Sequence, residues 1–253
     1  MITECKIMID QEKVLIYLAD VSILDDAEIF RHFYRQTSLK RQQKIDSFLF
    51  QKDKNLSLGV AILLKIALNN IGIFHYEVKR GEFGKPYLKN NSNVFFNLSH
   101  SKKMAMCVIA KDEVGCDIEK IDGMILDGMI LNKSEHTGAI KSCIKSCNAK
   151  KTKSTTPDIS KLVLAEGEKR EDFFKIWTAK ESYLKMTGVG MGKDLRSFKI
   201  QLPLGRQTID NKDVRFFDVL ADEKYQAAVC ANGRFNKNDI EIKNIDLKQI
   251  WQL

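Results

Sequence analysis

The 253-residue chain has no CxxC pair among its six cysteines (Cys5, Cys107, Cys116, Cys143, Cys147 and Cys230), so they read as reduced thiols that fill the core. Its four histidines (His32, His75, His100 and His136) are scattered, and no zinc ligand set emerges. No apolar run reaches the roughly 18 residues of a membrane span. There is no GxGxxG and no GxxxxGK[ST], so neither a dinucleotide fold nor a P-loop is indicated. The first 22 residues mix Glu4, Lys6, Asp10, Glu12 and Lys13 with apolar positions, unlike a signal peptide. A cytoplasmic protein without membrane attachment is the expectation.

Acids are in short supply: 33 Asp and Glu against 41 Lys and Arg, for a net charge of +8. Residues 132–161 alone carry seven lysines against Glu135 and Asp158, a net +5. This Ser- and Thr-rich stretch reads as a solvated basic insertion or as a surface for an acidic partner. No aromatic residue is interleaved with its lysines to stack on bases, so nucleic acid is not an expected partner. With 44% hydrophobic residues, the chain is rich enough in apolar side chains to build a core as one large domain or two small ones.

Periodicity predicts a strand over Lys13–Ala19, then helices over Asp25–Tyr34, Lys40–Phe50 and Lys52–Asn70. Strands are predicted over Phe74–Val78, Val94–Leu98, Met104–Ala110 and Val114–Glu119. A helix follows over Asp172–Thr187, ended by Gly188, and then strands over Phe198–Leu202, Val214–Val219 and Gln226–Cys230. Helices followed by strands, twice over, are an α+β signature rather than a βαβ alternation.

Three constellations bear chemistry. In Val114-Gly-Cys-Asp-Ile-Glu119, strand alternation puts Asp117 and Glu119 on one face and Val114, Cys116 and Ile118 on the other. Neighbouring carboxylates repel, so they are either solvated or share a cation, for which oxygen ligands suit Mg²⁺ or Mn²⁺. On the helix, Glu181 and Lys185 are i and i+4 neighbours beside an apolar stripe of Phe173, Ile176, Trp177 and Leu184. They form an ordinary surface pair, or Glu181 is partly desolvated and put to use. In Phe96-Asn-Leu-Ser-His-Ser101, Ser99 and His100 sit where a strand enters a turn, as anion contacts or as plain turn residues.

Taken in order, Gly84-Lys-Pro86, Phe96-Asn-Leu-Ser-His-Ser101, Gly115-Cys-Asp-Ile-Glu119 and Trp177-Thr-Ala-Lys-Glu-Ser-Tyr-Leu-Lys185 resemble the Sfp-type 4′-phosphopantetheinyl transferases. The resemblance implies two similar helix-plus-antiparallel-sheet halves related by pseudo-two-fold symmetry, over residues 1–113 and 114–253, with the basic insertion at about 132–161 in the second. It implies an enzyme, active as a monomer. Such an enzyme moves the 4′-phosphopantetheine arm of coenzyme A onto a serine of an apo acyl or peptidyl carrier protein and releases adenosine 3′,5′-bisphosphate. A non-catalytic module that binds coenzyme A or a carrier is the alternative. By resemblance, Asp117, Glu119 and Glu181 hold Mg²⁺ (or Mn²⁺), and Lys185 lies beside the pyrophosphate. Ser99, His100 and Lys85 contact coenzyme A phosphates, and Arg41 and Lys44 bind the 3′-phosphate. Glu181 or Glu135 stands as the base.

Overall fold

The structure is a computed structural model that describes residues 12–121, 170–190 and 193–252. The basic insertion and Glu135 lie outside the described residues. The first sheet has the order β10-β1-β5-β4, from β1 (Val14–Asp20), β4 (Phe95–Ser101), β5 (Met104–Ala110) and β10 (Ile240–Asn244). The second runs β6-β9-β8-β7, from β6 (Val114–Lys120), β7 (Arg206–Ile209), β8 (Lys212–Asp222) and β9 (Tyr225–Asn232). A small hairpin joins β2 (Val78–Arg80) to β3 (Pro86–Leu88). The helices are α1 (Ala27–Arg35), α2 (Leu39–Asp46), α3 (Gln51–Asn70), α4 (Arg170–Thr187) and α5 (Leu247–Trp251). The mixed α+β architecture expected from the sequence is present. No helix among the described residues is long and apolar enough to cross a membrane.

Alternation along the strands explains the layering. In β1, Leu15, Tyr17 and Ala19 enter one core with the helices, while Val14, Ile16 and Leu18 enter a second core between the two sheets. β5 divides in the same way, with Ala105, Cys107 and Ile109 on the helix side and Met104, Met106 and Val108 on the sheet side. A strand buried on both faces is apolar throughout, as Met104–Ala110 is. A third core lies under α4, where Phe173, Ile176, Trp177 and Leu184 pack with Phe216, Ala228 and Cys230. The order is therefore helices, sheet, sheet, helix. Cys107, Cys116 and Cys230 are free and buried, as expected of core thiols.

Three expectations fail. Residues 74–77 form no strand; Phe74 is largely exposed, and pairing begins only at Val78. Phe198–Leu202 is not a strand either, although Phe198 and Ile200 are buried. There the Gln207 side chain takes the place of a neighbouring strand: its Oε1 accepts from Gln201 N at 2.9 Å and its Nε2 donates to Gln201 O at 2.8 Å. The first sheet is also not wholly antiparallel. β10, from the far end of the chain, pairs parallel with β1, Val14 opposite Ile240. Leu247 of α5 then joins the first core.

Candidate active site

β4 and β6 are the edge strands of their sheets, and they meet. An edge strand leaves a row of N–H groups to be satisfied. Here alternate side chains of β4 supply the acceptors. Cys116 N donates to Asn97 Oδ1 at 3.1 Å, Ile118 N to Ser99 Oγ at 3.4 Å, and Lys120 N to Ser101 Oγ at 3.1 Å. The seam between the sheets is thus stitched by side chains, and the functional groups collect along it.

Asp117 and Glu119 share one face of β6, as the alternation predicts, and Val114, Cys116 and Ile118 enter the core between the sheets. Neither acid is solvated: Asp117 is 2% and Glu119 5% exposed. Across the seam, Ser99 Oγ donates to Asp117 Oδ1 at 2.9 Å, and Ser101 Oγ donates to Glu119 Oε2 at 3.0 Å.

From the other side comes α4. Gly115 permits its close approach, because a Cβ there would stand 2.1 Å from the Ser182 carbonyl oxygen. The Lys185 ammonium donates to Asp117 Oδ1 at 2.6 Å and to Ser99 Oγ at 3.0 Å. Glu181, one turn earlier, is 7% exposed, so the Glu181–Lys185 pair is no surface ion pair.

Three buried carboxylates face one ammonium, and the electrostatics record the imbalance. Burial and then the charge of Asp117 push Glu119 up to about 8. The same two causes push Glu181 up to about 7. Burial opposes the charge on Lys185, but Asp117 and Glu181 outweigh it and raise its pKa. Asp117 Oδ2 is buried without a hydrogen-bond partner. Among the described residues, no three Asp, Glu, His or Cys groups are already drawn into an ion-holding cluster; Lys185 takes the place beside Asp117. The donor set nonetheless fits a hard divalent cation: oxygens only, one buried oxygen unpartnered, and two acids that burial and Asp117 disfavour as anions until a cation joins them.

A cavity of about 660 Å³ opens on this group and is lined by Ser99, His100, Asp117, Glu119 and Lys185. Lys102, Lys103 and Lys120 also line it. Surrounding protein and then Lys185 lower the pKa of His100, and Lys44 adds to the effect. Arg41 and Lys44 do not line the cavity. They belong to a basic group with Arg80, and burial, then Arg80, then Arg41 bring Lys44 down to about 8. Lys85 is placed elsewhere again. Its ammonium donates to the Met186 carbonyl at the end of α4, outside the cavity lining. Lys180, in the same motif, donates to Leu195 O at 2.8 Å and helps hold the loop after α4.

The sequence reading passed over Asn97 and Ser101. The signal was present in Asn-x-Ser-x-Ser, a run of small polar groups on one face of a strand whose other face is apolar.

Comparison with known proteins covers the same ground. The family model described as 4′-phosphopantetheinyl transferase superfamily matches residues 113–230, and that of the 4′-phosphopantetheinyl transferase N-terminal region matches residues 26–113. A 4′-phosphopantetheinyl transferase of Bacillus subtilis is 28% identical over 220 residues, covering 83% of this chain and 88% of its own length. The 4′-phosphopantetheinyl transferase gsp of Aneurinibacillus migulanus is 28% identical over 213 residues, 81% of each chain. The 4′-phosphopantetheinyl transferase Sfp of Bacillus subtilis (strain 168) is 24% identical over 208 residues, 77% of this chain and 81% of its own. With adjoining matches from residue 26 to residue 230 and the motifs of β4, β6 and α4 meeting at one seam, the chain belongs to the 4′-phosphopantetheinyl transferase superfamily.

Proposed function

We propose that this enzyme transfers the 4′-phosphopantetheine arm of coenzyme A to a serine of an apo acyl or peptidyl carrier protein, with adenosine 3′,5′-bisphosphate as the second product. The observation that carries this reading is the charge imbalance at the seam: three buried carboxylates, one lysine and one unpartnered carboxylate oxygen. A site that binds only an anion has no use for three buried acids, since they would repel it. A site for a pyrophosphate brought in with a divalent cation needs both kinds of charge.

In this reading Asp117, Glu119 and Glu181 would hold Mg²⁺ or Mn²⁺. Bound there, the cation would offset carboxylate charge and stabilise the negative charge that accumulates on the pyrophosphate. Lys185 gives up its contact with Asp117 and turns to the pyrophosphate, where its fixed positive charge favours departure of the bisphosphate. Ser99 and His100, on the cavity wall, orient the phosphates. Arg41 and Lys44, with Arg80 beside them, take the 3′-phosphate.

The serine oxygen of the carrier attacks the phosphorus nearer the pantetheine. The bond from that phosphorus to the bridging oxygen breaks, and its electron pair leaves with the bisphosphate. In this reading the serine proton passes to Glu181 or to Glu135. The acidic surface common to carriers suits the lysines at the cavity, Lys102, Lys103 and Lys120. The chain is expected to act as a monomer in the cytoplasm.

The test is mass spectrometry of apo-carriers incubated with the protein, coenzyme A and Mg²⁺. A gain of the phosphopantetheine mass on the carrier serine is expected. A carrier that is bound but never modified would favour a non-catalytic binding module instead.

A further inference from the structure

Ser101 ends β4, and its hydroxyl does two things at once. The oxygen accepts from Lys120 N at 3.1 Å, and the proton goes to Glu119 Oε2 at 3.0 Å. A hydroxyl has a single proton to give. With the Lys120 N–H seated on the oxygen, that proton is left to the carboxylate, and Oε2 is held in one place. Both residues are deep in the protein, Ser101 1% and Glu119 5% exposed, and both line the cavity.

The serine is itself held from both halves of the chain. Ser101 pairs with Met104 across a two-residue turn, whose first residue, Lys102, has φ of 53°. Lys103 O accepts from Val21 N at 2.8 Å, and Lys103 N donates to Tyr225 Oη at 3.4 Å. Val21 follows β1 of the first sheet, and Tyr225 opens β9 of the second. Asn97, on the same face of β4, makes the contrast. Its Oδ1 accepts from Cys116 N at 3.1 Å, and among the described residues it hydrogen-bonds no carboxylate. Asn97 closes the seam alone; Ser101 closes the seam and grips an acid.

We propose that Ser101 is a positioning residue for the divalent cation: its hydroxyl pins Glu119 Oε2 and so leaves the second carboxylate oxygen to the metal. Among the described residues that second oxygen, Oε1, has no hydrogen-bond partner. A carboxylate free to rotate would have to be ordered when the cation binds, and the buried hydroxyl does this in advance. Partners of this kind orient a ligand, and their loss weakens metal binding about 10–100-fold. The inference rests on the reading of Asp117, Glu119 and Glu181 as cation ligands, and it asks nothing of Lys185.

Ser101→Ala removes the hydroxyl, while Asn97→Ala removes a seam acceptor that holds no carboxylate. Each full-length variant is titrated with Mn²⁺ alone in a calorimeter. The Kd for Mn²⁺ should rise about tenfold or more in Ser101→Ala and stay within about twofold in Asn97→Ala. Both variants lose a seam hydrogen bond, so Tm should fall in both. Unchanged Mn²⁺ affinity in Ser101→Ala overturns the proposal. So does an equal loss in Asn97→Ala, which would mean that loosening of the seam, and not the hydroxyl on Glu119, sets metal binding.

Should Ser101→Ala fail to fold, Ser101→Cys keeps a side chain of similar size and offers only a weak donor. Its Kd for Mn²⁺ should also rise about tenfold, and a wild-type value counts against the proposal. Coenzyme A affinity measured in EDTA gives a second readout. It should stay within about twofold in Ser101→Ala; a loss as large as that for Mn²⁺ would mark a phosphate contact and overturn the proposal. Wild-type protein that binds no Mn²⁺ overturns it as well. If wild type binds Mn²⁺ but modifies no apo-carrier, the transfer reading fails, while the comparison of Ser101→Ala with Asn97→Ala still decides the role of the hydroxyl.

Discussion

Gly115 and Ser182 lie so close that a methyl group on the glycine would overlap the serine carbonyl, at 2.1 Å, and the Met186 nitrogen, at 2.3 Å. β6 and α4 therefore touch through backbone, and this contact sets the distance from Asp117 to Lys185. In Gly115→Ala the helix must move away by about an ångström or more, an overpacking worth about 1–3 kcal/mol. Thermal and urea unfolding should show the loss. Activity should fall further than stability, because Lys185 rides on the displaced helix. A variant within about 0.5 kcal/mol of wild type would mean that the helix shifts without resistance.

Removing charge from the seam tests the proposed cation ligands. Asp117→Asn and Glu181→Gln preserve size but leave fewer anionic oxygens. Each is expected to lose Mn²⁺ binding by titration calorimetry and to lower label transfer to an apo-carrier roughly a hundredfold or more. The two variants should part in stability. Glu181→Gln removes an acid that burial and Asp117 already disfavour as an anion, so without metal it should be no less stable than wild type. Asp117→Asn strips the Lys185 ammonium of its 2.6 Å partner and should cost about 3–5 kcal/mol. Mn²⁺ affinity unchanged in both variants would remove these acids from the ligand set.

Much of this site was legible from local pattern, and the reason is geometric. Strand alternation put Asp117 and Glu119 on one face, and the four-residue step of a helix put Glu181 beside Lys185; both relations are contained within a few residues. β5 was bounded at Met104 and Ala110 because burial on both faces makes an unbroken apolar run. Long-range partners leave no such trace. Nothing near Phe198 in the sequence announces that a glutamine side chain, rather than a strand, will satisfy Gln201. Nothing near Ile240 announces a parallel pairing with β1. Lys85 was read from its motif as a phosphate contact; that it reaches a helix carbonyl 101 positions away depends on how the halves pack.

Lys44 should make coenzyme A binding depend on pH. Its pKa is lowered to about 8 by burial, then by Arg80 and Arg41. Below that value it is a cation; above it, mostly neutral. A bound phosphate favours the cation, so the complex holds the proton more tightly than the free enzyme does. Raising the pH from 7 to 9 therefore weakens binding, and the KM for coenzyme A should climb through pH 8. Lys44→Met should raise the KM about tenfold at pH 7 and flatten this limb, as loss of one charge-assisted hydrogen bond implies. A KM profile that keeps its rise in Lys44→Met would assign the titration to another group.

The lysines along the cavity suggest a different dependence, on salt. Lys102, Lys103 and Lys120 line the cavity, and among the described residues none of them forms an ion pair. An acidic carrier approaching the seam would meet their combined field before any close contact forms. At about 0.1 M ionic strength that field extends about 10 Å, and at 1 M only about 3 Å. Replacing all three by alanine should raise the KM for the carrier about tenfold at low salt, with little change in the KM for coenzyme A. The difference from wild type should shrink as salt rises, because screening removes from the wild type what the substitutions remove from the variant. If the variant instead loses coenzyme A affinity at every salt concentration, these lysines serve the nucleotide, and the carrier approaches from another side.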